Sequence, residues 1–423
     1  MYKRKMKYLW LAVAVVLVLS VSFAWAAQKK VKAKAKLGAV ISLTGSLSEF
    51  GASFRKAGDL AVKQLAEAGF PVELKFVDDE TSAIPGVEAA RTMVNVEKVV
   101  ALIGATASGV TIPVAESVSI PNQVPQISNS STSPLITFLP ADEGKDFLFR
   151  TCPSDALQGV ILGKVAAEAG YKKAAVFWVN NAYGQGLMER FKEAFEFRGG
   201  KVVASVPHDE KPAPTYVSEL RKIMQSKPDV MLALGYPGQA TVYLKEFFEA
   251  GYQKSTKLLF CDGTKSVQMP KTLGPKNLAG FIGTAPGTVA GTSLDNFNRD
   301  FKAEYGEVPP LPYMTNFYDA VAVASLAAAA CEGQKKKITP INVRDNLRFV
   351  SNPPGETIVA GVDGFKKALA LLKSGKDINY EGAAGSVDFD KYGDVVTPIE
   401  VWKYVVNDPY IETVRSETEI PEK

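Results

Sequence analysis

Short apolar runs rich in β-branched residues recur along this chain, each followed by turn residues and then by a stretch of helical period. Val99–Gly104 is long enough for a buried strand and too short for a helix. It ends in the small residues Gly104 to Gly109, after which Ile112, Ala115 and Val118 fall on the inward face of a helix. A second strand, Val124–Ser128, runs into the hydroxyl-rich loop Asn129-Ser130-Ser131-Thr132-Ser133. Upstream, the pattern predicts strands over Lys36–Leu43 and Val72–Val77. Helices are predicted over Ala52–Ala68 and from Pro85-Gly86 to Val96. This strand–helix alternation is that of a parallel sheet with right-handed crossovers.

The pattern restarts near residue 150. Phe149-Arg150-Thr151 reads as a short strand, and Asp155–Ala169 as a helix. Strands follow over Ala174–Val179, Lys201–Val206, Val230–Leu234 and Lys257–Phe260, with helices over Tyr183–Phe197, Thr215–Gln225 and Gln239–Ala250 between them. After a strand at Gly280–Thr284 the chain turns helical: Asn296–Tyr305, the apolar Thr315–Ala330, Ile341–Phe349 and Val362–Ser374. A strand at Ile399–Val405 comes last, and the residues after Asp408 read as a polar tail.

In a parallel α/β sheet the loops at the strand carboxyl ends share one edge, where ligands bind. The loops at 104–109 and 129–133 therefore present hydroxyls and backbone N–H groups to one crevice, suited to an anion such as a carboxylate. Small residues also make tight strand-to-helix turns, so either loop alone has a plain structural reading; the two together favour a site.

Composition adds little to this picture and charge almost nothing. The chain has 423 residues, 46% hydrophobic and 22% charged, which suits a globular protein of about two domains. Its formal charge is +4, but Lys3, Arg4, Lys5 and Lys7 sit in the first seven residues, so the remainder is near neutral and offers no basic patch for nucleic acid. Those basic residues, the apolar stretch Leu9–Phe23 and Ala24-Trp25-Ala26 form a secretory signal with an A-x-A cleavage site. Residues 1–26 are expected to be removed, leaving an exported, soluble chain with no second stretch near the ~20 apolar residues of a membrane span. An uncleaved anchor is the other outcome of the same pattern. Three cysteines, Cys152, Cys261 and Cys331, leave at least one thiol unpaired and have no metal-ligand spacing.

Catalysis is not expected. The only histidine is His208, there is no G-x-S-x-G elbow, and the loop at 104–108 lacks the lysine of a phosphate loop. One histidine with no acidic cluster is a poor basis for a metal site, and no cofactor is expected.

The order of these loops resembles the periplasmic leucine/isoleucine/valine-binding proteins, the solute receptors of branched-chain amino acid ABC importers. The features that carry it are Leu43-Thr44-Gly45 with Phe50-Gly51, Asp78-Asp79, Ile103-Gly104 before Ser108, and Ile127-Ser128 before Ser130 to Pro134. Further along come Phe149-Arg150-Thr151 with Gln158-Gly159, Tyr183-Gly184-Gln185-Gly186, Gly235-Tyr236, Tyr318-Asp319-Ala320, and Val387-Asp388-Phe389-Asp390 with Gly393-Asp394. Each is weak alone, and their order spans nearly all of the chain after the leader.

The resemblance implies an α/β fold of two Rossmann-like lobes with parallel central sheets, joined by three crossover hinge strands. Crossovers near Arg150, Ala285 and Pro398 would give lobe 1 as 36–150 and 286–397, and lobe 2 as 151–285 and 398–423. It further implies a monomeric periplasmic receptor that traps an amino acid, branched-chain or similarly apolar, between the lobes and delivers it to ABC transporter permease subunits. The alternatives are a small amide, an aromatic or other carboxylic acid as ligand, or a role as a ligand sensor, although no second apolar span or signalling module follows in this chain. Carried over position by position, Ser108, Ser130 and Thr132 match the lobe-1 groups that hold the ligand's carboxylate and amine. Phe50 matches an aromatic beside the ligand side chain, and Tyr183 and Tyr236 match aromatic faces that close over it. Asp262 stands where the branched-chain receptors usually have Glu, one methylene shorter, as the partner of the ligand's ammonium.

Overall fold

The computed structural model describes residues 32–419 and 421, so the leader read over 1–26 lies outside the described residues. Two larger sheets organise the chain. The first has the order β2-β1-β3-β4-β5, built from β1 (Ala35–Ile41), β2 (Val72–Asp78), β3 (Ala101–Gly104), β4 (Gln126–Ser128) and β5 (Leu148–Arg150). Every pairing in it is parallel. The second has the order β14-β13-β10-β9-β8-β6-β7. Its parallel part comprises β6 (Lys173–Val179), β7 (Lys201–His208), β8 (Val230–Leu234), β9 (Lys257–Phe260) and β10 (Ile282–Pro286). Two parallel five-strand sheets thus share one topology, each with its strand order reversing beside its first strand, and at such a reversal the loops part to leave a crevice.

The second sheet departs from an all-parallel expectation at one edge. β13 (Ile399–Tyr404) runs antiparallel to β10, and Ile411–Glu417, read from sequence as part of a polar tail, is an antiparallel edge strand, β14, on β13. An edge strand with one solvated face needs little apolar content, so β14 had no hydrophobic run to betray it. A separate parallel pair, β11 (Glu356–Val359) and β12 (Ile378–Glu381), was also not anticipated; each is four residues long.

The predicted helices are present with ends moved by a few residues. The first extends back to Ser48, which brings Phe50 into its opening turn. The helix Ser108–Val114 continues through a π turn over Ala115–Ser119. Met314–Gly333 corrects one expectation: among the described residues it is the one helix long and apolar enough to cross a membrane. It is instead a core helix, buried from Met314 to Cys331. Phe317 on it stacks on Phe54, ring centroids 5.5 Å apart and 7° from parallel. At Gly58 an added Cβ would lie 2.7 Å from Phe317 Cε1, so glycine lets the helix Ser48–Ala68 approach this closely.

The three cysteines are buried and free. The sequence left open whether Cys152 and Cys261 pair; they do not.

Candidate functional site

The two reversal points face each other across one tight cavity, with about 20 Å3 open to a water-sized molecule. From the first sheet, the loops after β1, β3 and β4 contribute Leu47 and Phe50, Thr106 to Ser108, and Ser130. From the second, the loops after β6, β8 and β9 contribute Tyr183, Tyr236, Asp262 and Gly263, and Tyr313 reaches in from just before the core helix.

Two close approaches set the aromatic walls. A Cβ at Gly51 would lie 2.0 Å from the Ser42 carbonyl oxygen, and one at Gly184 would lie 1.9 Å from that of Val179. Each glycine therefore lets a helix begin directly on the end of its strand, delivering Phe50 from β1 and Tyr183 from β6. Asn181 caps the second of these helices, its Oδ1 accepting from the Gly184 N–H at 3.0 Å, while its Nδ2 donates to the Tyr236 hydroxyl at 2.9 Å. Tyr183 and Tyr236 are held stacked, centroids 5.7 Å apart and 12° from parallel.

The hydroxyl wall is tied to itself. Ser130 Oγ donates to the Thr106 carbonyl at 2.9 Å, and Ser108 Oγ accepts from the Ser133 N–H at 3.2 Å. Thr132 differs from the other six predicted residues: it does not line the cavity, and its hydroxyl donates to Asp155 Oδ2 at 2.8 Å.

Asp262 is the one carboxylate on the cavity wall, and no Lys, Arg or His joins it among the described lining residues. Its Oδ1 accepts from Tyr183 at 2.7 Å and Gln158 Nε2 at 2.8 Å, and its Oδ2 from Tyr313 at 2.6 Å. Burial pushes its carboxyl up, and these three donors pull it back toward the ionised form.

Sequence reasoning missed Tyr313, Gln158 and Asp155. Gln158 had a signal, since Gln158-Gly159 was part of the resemblance but received no role. Tyr313 had none: it follows the proline-rich run 309–312 at φ 67°, and only the tertiary path of that run carries it to Asp262.

Comparison with known proteins agrees with this fold. Residues 34–365 match the periplasmic binding protein family, and the chain belongs to it. It is 28% identical over 370 residues to a chemotactic signal transduction system substrate-binding protein, BasB, of Halobacterium salinarum, covering 85% of this chain and 84% of that one. Among solved structures it resembles the branched-chain amino acid transporter substrate binding protein LivJ of Streptococcus pneumoniae in complex with isoleucine. The TM-score is 0.73 at 20% identity, covering 92% of this chain and 100% of the other. It also resembles an ABC transporter solute binding protein of R. palustris in complex with benzoate, with a TM-score of 0.71 at 19% identity and coverage of 91% and 96%. The family and these neighbours are solute-binding receptors.

Proposed function

We propose that this protein is an exported receptor for an apolar α-amino acid, closing two lobes over it and handing it to an inner-membrane ABC importer. The observation that carries the reading is Asp262, a lone buried carboxylate in a cavity otherwise walled by aromatic rings, hydroxyls and backbone. An ammonium group is the ligand feature that answers it, because a charge removed from water needs a partner of opposite sign. Ser108 and Ser130, with neighbouring N–H groups, serve the ligand's carboxylate and the ammonium's remaining protons. Thr132 joins them by turning its hydroxyl from Asp155, while Phe50, Tyr183 and Tyr236 pack on the side chain. The lobes are taken as 36–150 with 286–397, and 151–285 with 398–423, and the hinges as the crossings near Arg150, Ala285 and Pro398. The leader over 1–26 directs the chain to the periplasm, where it acts as a monomer.

A second reading, an aromatic acid without an amine, draws on the parallel Tyr183–Tyr236 stack, a flat aromatic wall, and on the three donors that already serve Asp262. A thermal-shift screen over amino acids, amides and aromatic acids separates the two, since a ligand bound only to the native state raises Tm. Stabilisation by leucine-like amino acids supports the first reading, and stabilisation by benzoates alone the second. Small-angle scattering with the best ligand should show the molecule compacting about the three crossings.

A further inference from the structure

The chain after its first seven residues is near neutral, but the fold does not spread its charge evenly. At the end of the first sheet remote from the cavity, three segments bring lysines together. Lys34 stands just before β1, and its ammonium pairs with Glu332 at 2.8 Å, near the carboxyl end of the core helix Met314–Gly333. Beyond that helix the chain reads Lys335-Lys336-Lys337, turned back by a hydrogen bond from the Lys336 N–H to the Cys331 carbonyl at 2.8 Å. A Cβ at Gly333 would lie 1.9 Å from the Leu372 carbonyl oxygen, so the end of the core helix abuts the last turn of the helix Val362–Lys373. That turn and the residues after it add Lys373 and Lys376. All six lysines are exposed, and among the described residues only Lys34 of the six has an ion-pair partner. Glu356, the acid that Lys376 faces, is held by Lys367 at 2.7 Å.

A helix's carboxyl end attracts cations, but that attraction is confined to its last turn. It accounts for Lys373, the last residue of its helix, and not for Lys335 to Lys337, which follow theirs, nor for Lys34 beside a strand. Three more lysines, Lys29, Lys30 and Lys32, precede Lys34 within five residues of sequence, and they follow directly on the apolar leader. Resting on the export reading above, we propose that this end of the protein is a docking surface for an anionic phospholipid bilayer. Lysines spread over three segments suit a continuous field of phosphate head groups better than one small anion, and a chain led to a membrane by its leader meets that surface first. The core helix fixes the orientation. Tyr313, just before its start, lines the cavity, and the lysines gather at its other end, about 30 Å away for a helix of 20 residues. Lipid bound at the lysines therefore leaves the cavity uncovered.

Vesicle sedimentation tests the surface on protein lacking residues 1–26, since Lys34–Lys423 form one compact unit by themselves. Purified protein is used, so the outcome stands apart from the export reading. The protein should sediment with phosphatidylglycerol–phosphatidylcholine vesicles at about 0.05 M salt, should be released at about 0.5 M, where charge is screened within a few ångströms, and should ignore phosphatidylcholine alone. A lysine held at an anionic surface contributes about fivefold to partition. Changing Lys335, Lys336 and Lys337 together to Gln should weaken binding by about tenfold or more, with Tm unchanged. Lys373→Gln with Lys376→Gln should weaken it independently. The control is Lys173→Gln with Lys201→Gln, at the starts of β6 and β7 at the far end of the second sheet, where Asp229 stands among the strand ends and accepts from the Lys173 N–H. That pair should leave binding within about twofold of wild type. Equal partition to both kinds of vesicle, a triple variant that binds within about twofold of wild type, or a control that loses as much as the triple variant overturns the assignment. Tighter binding to a DNA duplex than to the vesicles at the same salt overturns the choice of lipid.

Discussion

Glu49, in the first turn of a helix packed on the first sheet, reaches Ser266 beyond the end of β9 in the second: Ser266 Oγ donates to its carboxylate at 2.5 Å. The other carboxylate oxygen accepts from the N–H groups of Val267 and Gln268 at 2.9 and 3.2 Å. Three donors from one sheet's side thus converge on a single acid from the other, at the rim of the cleft and clear of the cavity wall. Ser46 adds to the same seam, donating to the Glu210 carbonyl at 3.0 Å and accepting from the Gly238 N–H at 3.3 Å.

On the proposed two-lobe closure these contacts form only when the lobes are shut, and Glu49 then holds the closed form without touching ligand. A hydrogen bond to a charged group contributes about 1.5–3 kcal/mol. Glu49→Ala should therefore weaken ligand binding by about tenfold to a hundredfold, mostly through faster release, with the ligand-free melting temperature little changed. Stopped-flow dissociation and calorimetry check this.

Arg150 is completely buried where β5 ends, and its partner Asp394 lies 244 residues further along the chain. The Arg150 N–H also donates to the Gly393 carbonyl at 2.9 Å. Removing one partner of a buried pair costs about 3–5 kcal/mol, because the other charge is left unpaired. Asp394→Ala should lower the denaturation midpoint accordingly. Arg150→Met with Asp394→Leu, which removes both charges, should recover part of the loss. If Asp394→Ala left the midpoint unchanged, the pair would have no structural weight.

Asp319 sits in the core helix and is fully buried, accepting from the Tyr380 hydroxyl at 3.0 Å and from the Ala383 and Ala384 N–H groups at 2.7 and 2.8 Å. Burial outweighs these donors and raises its carboxyl to about 7. The folded form then binds more protons than the unfolded one between about pH 4 and 7, so this group's contribution to stability is full at the acid end and is lost as pH rises through that window. Asp319→Asn should flatten the dependence of Tm on pH across the window. An unaltered slope would mean that Asp319 titrates normally in the folded protein.

How far the sequence could be read follows from where each residue's placement is decided. β1, β6 and β8 announce themselves because a buried strand is largely apolar, whereas Phe50, Tyr183 and Tyr236 were named through the family resemblance. β14 and the β11–β12 pair escape because a solvated edge imposes no such composition. Tyr313 and Asp155 escape for a different reason. Tyr313 meets Asp262 across 51 positions, and Asp155 meets Thr132 across 23, through the path of the chain between the two sheets. No local pattern records that path.

The central claim is that Asp262 answers a ligand ammonium, and calorimetry on Asp262→Ala tests it most directly. The account predicts that amino-acid affinity falls by about two orders of magnitude or more, since the ammonium is left in a closed cleft without its anion. Asp262→Glu, restoring the longer acid usual in the branched-chain receptors, should retain binding and shift preference among side chains. Binding of the best amino acid by Asp262→Ala within about threefold of wild type would contradict the account and move the ligand to a molecule without an amine.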